Sequence, residues 1–263
     1  MPEGHSVQRT ANQFNEHFKG KKIKVDSPQG RFTSDAKLIN NRVLIEAKAI
    51  GKQLFLNFDN DLTCRVHLGI YGKWRFVTAA DRGLTGQVRA RFFTKEFLAD
   101  LRGPTVCEVI DSKSVKLVEK RLGPDPTNPD PRKRELARFV DRVKNSKSSI
   151  GLLLMNQDVV SGIGNVYRAE LLFRAGINPH VLGNQLTEEQ IRDLWVDAVK
   201  LMKVGVATGF MITRDELVKK NPKKADRNYV YKREGEKCLR CGSVVAIEIM
   251  ASRKLYWCPG CQI

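Results

Sequence analysis

Four of the six cysteines form two closely spaced pairs near the end of the chain, Cys238 with Cys241 and Cys258 with Cys261. Each pair can present two thiolates to one ion, and the sixteen residues between the pairs are long enough for a hairpin. Four sulfur ligands close a tetrahedral shell and leave no open position for chemistry. The spacing therefore predicts one structural zinc ion, with two disulfides or four free thiols as the alternatives.

Pro2 becomes a candidate nucleophile if Met1 is removed, and the small size of Pro2, the second residue of the chain, permits that removal. The exposed secondary amine would titrate near about pH 8, so a useful fraction would be unprotonated at neutral pH. Attack of such an amine on a sugar C1′ gives an iminium ion, which is an electron sink for later eliminations. Glu3 beside it could act as a general acid or base. The plainer interpretation of this segment is a frayed chain end.

The segment Gly162-Ile163-Gly164-Asn165 lies between two helical patterns. Its glycines allow close approach of the backbone to a ligand, and the N–H groups that begin the next helix favour an anion, so we expect a phosphate site. The lack of a preceding strand and of a third spaced glycine excludes a dinucleotide fingerprint, and the lack of Gly-Lys-Ser/Thr excludes a P-loop. A helix–hairpin–helix DNA-binding turn and an ordinary turn between packed helices both remain open.

The charge of the chain indicates a polyanionic partner. Its 263 residues carry 46 Lys and Arg against 29 Asp and Glu, a formal net charge of +17, and such a balance favours nucleic acid. Apolar residues at 41% and charged residues at 29% exclude a disordered tail or a fibrous repeat. No apolar run approaches about 18 residues, and no basic-then-apolar stretch opens the chain. We therefore expect no membrane association and a cytoplasmic, nucleoid-associated, intracellular protein.

The elements that must position these residues differ between the two halves of the chain. One apolar face predicts a first helix, ended by Gly20, from the spacing of Val7, Ala11, Phe14 and Phe18. From 22 to 110 short apolar runs alternate with turn residues, which predicts a strand-rich sandwich or flattened barrel. These runs are Arg42–Ala47, Gln53–Phe58, Thr63–His67, Lys73–Val77, Gln87–Phe93 and Val106–Ile110, followed by a short helix at Val115–Leu122.

Four prolines between Gly123 and Pro131 mark the best domain boundary, because neither a helix nor a central strand tolerates them. Beyond this segment the apolar residues recur at helical spacing in three stretches, Leu136–Val143, Ile150–Met155 and Val166–Ala175. Thr187 with Gln190 is typical of a capping box that opens a further helix. The second half is therefore predicted to be helical up to the paired cysteines.

A series of short motifs then recurs in a recognisable order: Met1–Gly4, Gly51–Phe55, His67–Gly72, Arg121–Asp125, Leu153–Gln157 with Gly162–Glu170, Tyr229–Gly235, and Arg253 with Tyr256–Pro259. In that order they resemble the formamidopyrimidine-DNA glycosylase/endonuclease VIII family over nearly the whole chain. The resemblance implies an α+β protein with DNA in a cleft between its domains. Those domains would be an N-terminal catalytic β-sandwich at 1–122, a helix–two-turns–helix domain at 132–228 and a C-terminal zinc-finger hairpin at 229–263.

The same resemblance implies a bifunctional DNA glycosylase with AP-lyase activity in base excision repair. Pro2 would form a Schiff base, and Glu3 would donate a proton in base release. Lys52, at a hairpin tip between two strands, would assist β-elimination, and Arg253 would grip a phosphate and assist δ-elimination. Taken alone, Lys52 is a solvated turn lysine and Arg253 is a surface charge.

Further residues receive DNA-binding roles from the resemblance. Backbone phosphates would be held by Asn165 and Arg121, joined by His67 and Tyr231. Ile70 and Tyr71 would wedge into the space left by a flipped base. Glu170 would support the binding residues without contacting DNA, whereas its plainer interpretation is an acid on a helix surface.

The motifs of the chain do not all point to the same branch of the family. Met1–Gly4 and Tyr71 look more like the endonuclease VIII branch, which removes oxidised pyrimidines, whereas His67-Leu68-Gly69 looks more like the formamidopyrimidine branch. His5-Ser6 departs from both branches, which usually carry Pro-Glu, and the lost carboxylate bears on proton handling near the sugar.

Two other function classes therefore remain open. A damage-binding protein that kept the fold and lost turnover would account for His5-Ser6. A zinc-ribbon transcription regulator would account for the cysteines but would leave Pro2 and Lys52 without a role. Nothing in the sequence suggests an obligate oligomer, so we expect a monomer that binds damaged duplex or single-stranded DNA.

Overall fold

The structure, a computed structural model, describes residues 2–81, 83 and 86–263, so Met1, whose removal the sequence permits, lies outside the described residues. The chain divides into two compact units, Met1–Arg121 and Leu122–Ile263. Within the part of the chain that the structure describes, no helix combines the length and the apolar character that crossing a bilayer requires.

In the residues that the structure describes, the first unit contains antiparallel strands and three helices. Its described strands are β1 (Lys22–Asp26), β2 (Arg42–Ile50), β3 (Gln53–Phe58), β4 (Leu62–His67), β5 (Lys73–Thr78), β6 (Ala90–Phe93), β7 (Phe97–Arg102) and β8 (Val106–Asp111). Its described helices are α1 (Gly4–Phe18), α2 (Thr33–Ile39) and α3 (Ser112–Arg121). The strand order is β5-β7-β6-β1-β2-β3-β4-β8.

Strand β1 belongs to both layers of this sheet. Its residues Lys22 and Ile23 pair with β2, whereas Lys24 to Asp26 pair with β6. One layer continues through β3, β4 and β8, and the other continues through β7 and β5. A strand shared in this way lets one sheet fold over on itself. The predicted β-sandwich is confirmed.

Helix α1 packs its apolar face into the sandwich, which fixes the residues that precede the helix. The Phe14 ring is fully buried and meets Trp74, Phe76 and Phe92 edge-on, with ring centroids 4.9, 5.2 and 5.9 Å apart. Burying one such ring contributes about 1.5–3 kcal/mol. Asn15 also exchanges two hydrogen bonds of 2.8 Å with the backbone of Ala47 in β2.

The second unit is mainly helical and ends in a hairpin. Its described elements include α4 (Arg134–Lys144), α5 (Ile150–Leu153), α6 (Asn165–Ala175), α7 (Glu188–Thr208), β9 (Ala246–Met250) and β10 (Arg253–Trp257). The predicted capping box opens α7: Gln190 N donates to Thr187 Oγ1 at 3.2 Å, and Thr187 N donates to Gln190 Oε1 at 2.8 Å. Helix α6 is buried from Asn165 through Phe173, so it forms the centre of this unit.

Candidate functional site

The chain start is held by helix α1 rather than frayed. Glu3 is fully buried beside the half-buried Pro2, and its backbone is extended with φ −123° and ψ 174°. The Glu3 carbonyl accepts hydrogen bonds from Ser6 N at 2.9 Å and from Ser6 Oγ at 2.8 Å. Pro2 and Glu3 are therefore fixed next to the positive end of a helix dipole.

His5 lies buried in the first turn of α1 and is neutral at pH 7. Burial, together with the positive charges of the N-terminal amine and of Arg9, lowers the pKa of its imidazole to about 4. The departure from the family pattern at His5 therefore places a buried neutral ring in the first turn of α1, where the family usually carries Pro-Glu at positions 5 and 6.

Lys52 and His67 are brought together by strand pairing. Lys52 lies in the two-residue turn between β2 and β3, whose first residue, Gly51, has φ +57°. The following residue, Gln53, pairs directly with His67 at the end of β4. Burial lowers the pKa of His67, and the cationic Lys52 and Arg65 lower it further. A neutral imidazole thus stands beside the positive charge of Lys52.

Ile70 and Tyr71 project into solvent from the loop that follows β4. Ile70 is 49% exposed and Tyr71 is 85% exposed. The loop is tight at Gly69, where φ is +64° and a Cβ atom would lie 1.9 Å from Thr105 Oγ1. A residue with a side chain would be strained at this φ and would displace the Thr105 side chain, so glycine suits the turn that carries the two exposed apolar side chains.

Asn165 and Arg168 join the first turn of α6 to the hairpin of β9 and β10. Asn165 Nδ2 donates to the carbonyl oxygen of Lys254 at 2.8 Å, and Asn165 Oδ1 accepts from Arg168 Nη2 at 2.5 Å. Arg168 Nη1 also donates to the carbonyl oxygen of Met250 at 3.3 Å. These bonds hold both strands of the hairpin just where it turns.

The hairpin turn itself carries Arg253. Its two central residues, Ala251 and Ser252, have φ values of +54° and +55°, which is the type I′ geometry that suits a two-residue hairpin. Arg253 follows as the first residue of β10 and pairs with Met250. The structure therefore presents Arg253 next to the N-terminus of α6.

Glu170 binds three consecutive backbone N–H groups. Its Oε1 accepts from Val230 N and Tyr231 N, and its Oε2 accepts from Tyr229 N, each at 2.8 Å. The side chain is fully buried, so Glu170 is not a surface acid. Its carboxylate orders the segment that carries Tyr231, whose ring meets that of Tyr256 edge-on at 5.1 Å between centroids.

The four paired cysteines converge on one point. All four sulfur atoms lie within 4.8 Å of one another, with 3.8 Å between Cys238 Sγ and Cys261 Sγ and 3.4 Å between Cys241 Sγ and Cys258 Sγ. Tetrahedral zinc with Zn–S bonds of about 2.3 Å separates its sulfur ligands by roughly 3.8 Å. The set therefore fits one structural zinc ion, as predicted.

Two further residues complete the account of the sequence predictions. Arg121 is exposed at the end of α3, where a side chain can reach a ligand in solvent. The sequence analysis assigned no role to Arg168, which is fully buried. An arginine within a helix that is otherwise buried must find buried acceptors. The apolar residues on both sides of Arg168 in the sequence could therefore have predicted that its side chain bonds to another segment.

Three family models match successive parts of the chain. A model of the formamidopyrimidine-DNA glycosylase N-terminal domain matches residues 1–109, and a model of the formamidopyrimidine-DNA glycosylase H2TH domain matches residues 122–216. A model described as the zinc finger found in FPG and IleRS matches residues 235–263.

Curated relatives and solved structures agree with these models. Endonuclease 8 1 of Mycobacterium tuberculosis is 42% identical over 270 residues, and Endonuclease 8 of Escherichia coli is 28% identical over 268 residues, with all of each chain covered in both cases. The complex between Lactococcus lactis Fpg and DNA containing an abasic site matches with a TM-score of 0.82 and 24% identity over 99% of each chain. That similarity shows a shared fold.

Proposed function

The chain belongs to the formamidopyrimidine-DNA glycosylase/endonuclease VIII family of base excision repair, DNA glycosylases that also cleave abasic sites, and we propose that it excises oxidised pyrimidines through a Schiff base on Pro2. One observation carries the proposal: the fully buried Glu3 is fixed beside Pro2 at the N-terminus of α1. The formal charge of +17 suits an enzyme that works on the DNA of the nucleoid.

Pro2 would supply the nucleophile in this mechanism. Its amine nitrogen attacks C1′ of the damaged nucleotide, the glycosidic bond breaks with its electron pair going to the base, and Glu3 delivers the proton that base release requires. The attached nitrogen then loses its N–H proton, the ring oxygen gains one proton as the C1′–O4′ bond breaks, and the freed nitrogen lone pair forms the C=N⁺ bond. The nearby helix N-terminus disfavours the ammonium form of the amine, which favours the free base.

Lys52 and Arg253 would act on the iminium intermediate. The C=N⁺ bond acidifies the C2′ proton, and removal of that proton expels the 3′ phosphate in β-elimination. Lys52 would assist this first elimination, and Arg253 would neutralise the phosphate that leaves in the second, δ-elimination.

The remaining predicted residues would hold the DNA. Asn165, Arg121 and Tyr231 would bind backbone phosphates, with the N-terminus of α6 as an additional anion site. The exposed Ile70 and Tyr71 would fill the space that the flipped nucleotide vacates. Base flipping has an unstacking cost of a few kcal/mol, which insertion of such side chains offsets.

The pyrimidine preference rests on Tyr71 and on the first residues of the chain, and the relatives that cover the whole chain are named Endonuclease 8. The test compares duplexes of one sequence that carry an oxidised pyrimidine, 8-oxoguanine or an abasic site. We expect single-turnover base release about tenfold faster for the oxidised pyrimidine, the equivalent of about 1.4 kcal/mol in the transition state. The abasic duplex is the internal control, because its cleavage requires no base release and should be the same in every preparation. Faster release of 8-oxoguanine than of the oxidised pyrimidine would contradict the preference.

A further inference from the structure

Helix α3 turns a face with four cations toward solvent. From Lys113 onward its exposed side chains recur at i, i+3, i+4, i+7 and i+8, the spacing of a single helix face, and they are Lys113, Lys116, Leu117, Lys120 and Arg121. The one acid among the described residues of α3, Glu119, is half-buried on the flank of this face. These five exposed residues therefore form a continuous positive surface, the α3 stripe.

Helix stability does not account for the α3 stripe. Lys113 lies in the first turn, where the helix dipole disfavours a cation, and Lys116 and Lys120 are like charges four residues apart, which destabilise a helix. The dipole favours only the two cations in the last turn, Lys120 and Arg121. Repulsion among neighbouring cations is relieved when a polyanion binds, so the stripe favours such a ligand over water.

Carboxylates compensate only one end of the stripe. Asp111, which precedes α3, accepts a hydrogen bond from Ser114 N at 2.7 Å, and hydrogen bonding to Ser114 together with the charge of Lys113 lowers the pKa of the Asp111 carboxyl group. Among the residues that the structure describes, Lys116, Lys120 and Arg121 form no ion pair with a carboxylate. Their charges are therefore available to a ligand.

The length of the stripe suits the backbone of DNA. A helix rises about 1.5 Å per residue, so the stripe is about 12 Å long from Lys113 to Arg121. One strand of a duplex carries a phosphate about every 3.4 Å along the axis, so a strand that follows the stripe passes about three or four phosphates. Lysine ammonium groups on flexible stems can meet such a row of phosphates at any sequence.

We propose that the α3 stripe binds the phosphate backbone of the duplex arm on one side of the damaged nucleotide, continuing the contact expected of Arg121. The proposal rests on the proposed function for its ligand, but it concerns the extent and strength of DNA binding and not the chemistry at Pro2. The lysines of the stripe do not touch the damaged base. They add affinity without adding lesion preference, because phosphate contacts carry no information about the base.

Lys116→Gln/Lys120→Gln removes two charges from the stripe and keeps Arg121. We expect this double variant to bind an undamaged duplex about tenfold more weakly at about 0.1 M salt. The slope of the logarithm of affinity against the logarithm of salt concentration should become shallower by about two, since each lysine bound to a phosphate displaces about one counterion. The melting temperature should stay near that of the wild type, because relief of the like-charge pair offsets the loss of a last-turn cation.

Lys22→Gln/Lys24→Gln is the matched control. It removes the same charge from the same unit, at strand β1, where Lys22, Lys24 and Asp26 share one exposed face. Its salt slope should stay near that of the wild type, because these lysines add to the field of the protein without touching a phosphate.

Shortening the DNA distinguishes a contact from long-range attraction. The duplex carries one non-cleavable abasic analogue and is trimmed, on one side or the other, to about four base pairs. We expect the wild-type protein to lose affinity when one particular arm is trimmed. In Lys116→Gln/Lys120→Gln the same trimming should cost almost nothing further, because the contact is already absent.

Four results would overturn the proposal: a wild-type salt slope in Lys116→Gln/Lys120→Gln, an equal change of slope in the two double variants, an affinity loss that tracks lost folded protein, or full additivity of the substitution and the trimming. Failure of the proposed function would look different. In that case the wild-type protein would itself form no borohydride-stable adduct with an abasic site, whereas the salt slopes on an undamaged duplex do not depend on that chemistry.

Discussion

Asn165 Nδ2 donates a hydrogen bond to the carbonyl oxygen of Lys254 over 2.8 Å, and so ties the first residue of α6 to the strand that begins with Arg253. The two residues are separated by 89 positions in sequence. The amide oxygen of Asn165 accepts from the buried Arg168, which also bonds the Met250 carbonyl. The helix N-terminus and the hairpin that carries Arg253 therefore form one bonded network.

Asn165→Ala should weaken DNA binding about tenfold, because it breaks the link to Lys254 and leaves the hairpin less well placed. The loss should be equal for damaged and undamaged duplexes, since phosphate contacts carry no information about the base. Fluorescence anisotropy with both duplexes measures this. If Asn165→Ala changed only the preference for the lesion, the phosphate role of this network would be wrong.

Cys258→Ser should lose both the zinc ion and DNA binding, because three thiolates no longer close the tetrahedral shell and the finger depends on its metal to fold. Metal analysis and a binding titration on the same preparation measure the two losses. Cys107→Ser, in strand β8, is the control and should keep one zinc ion per chain. Full DNA binding by metal-free Cys258→Ser would show that the folded zinc finger is not needed for DNA binding.

Glu170→Gln should lower the free energy of unfolding by about 3 kcal/mol, because hydrogen bonds to a buried charged acceptor are worth more than those to a neutral one. The new amide NH₂ would also face a backbone N–H donor from among residues 229–231. Denaturant unfolding measures the change. Glu189→Gln, at an exposed position of α7, should cost no more than about 0.5 kcal/mol, and an equal effect of the two substitutions would contradict the role of Glu170.

His5 should make stability depend on pH between about 4 and 6.5. Its pKa is about 4 in the folded protein against an ordinary value of 6.5, so within this window the unfolded chain binds the additional proton. Stability is therefore lost as the pH falls through this range, by up to about 1.4 kcal/mol per pH unit. In His5→Gln that part of the slope should be absent. Unfolding titrations of both proteins at several pH values measure the difference, and parallel curves would contradict a buried neutral imidazole.

Local patterns in the sequence predicted the parts of the fold that local physics determines. The apolar stripe that includes Phe14 and the capping box of Thr187 with Gln190 each depend on neighbours within one or two helical turns. Likewise, the cysteine spacing alone predicted a site whose four sulfur atoms meet in the structure.

The elements that the sequence analysis missed depend on distant partners. Strand β7 interrupts its apolar pattern with the fully buried Asp100, whose charge is balanced by Arg91 from β6, which binds both carboxylate oxygens at 2.7 and 2.9 Å, and by Arg102 at 3.6 Å. Strand β1 is short and alternates buried residues with charged ones, so it resembles a loop until both neighbours are known. Arg168 belongs to the same class, since its backbone acceptors lie on the distant hairpin strands.

The proposed chemistry is tested most directly by borohydride trapping on a duplex that carries one abasic site, with protein whose N-terminus is confirmed to be Pro2. We predict a stable covalent cross-link that maps to Pro2, because borohydride reduces the iminium formed by that amine. A version with one additional residue before Pro2 should form none, although it should bind the duplex normally. Efficient trapping by the blocked protein would contradict the mechanism and make Lys52 the next nucleophile to test, and absence of trapping by the unblocked protein despite tight binding would indicate a damage-binding protein.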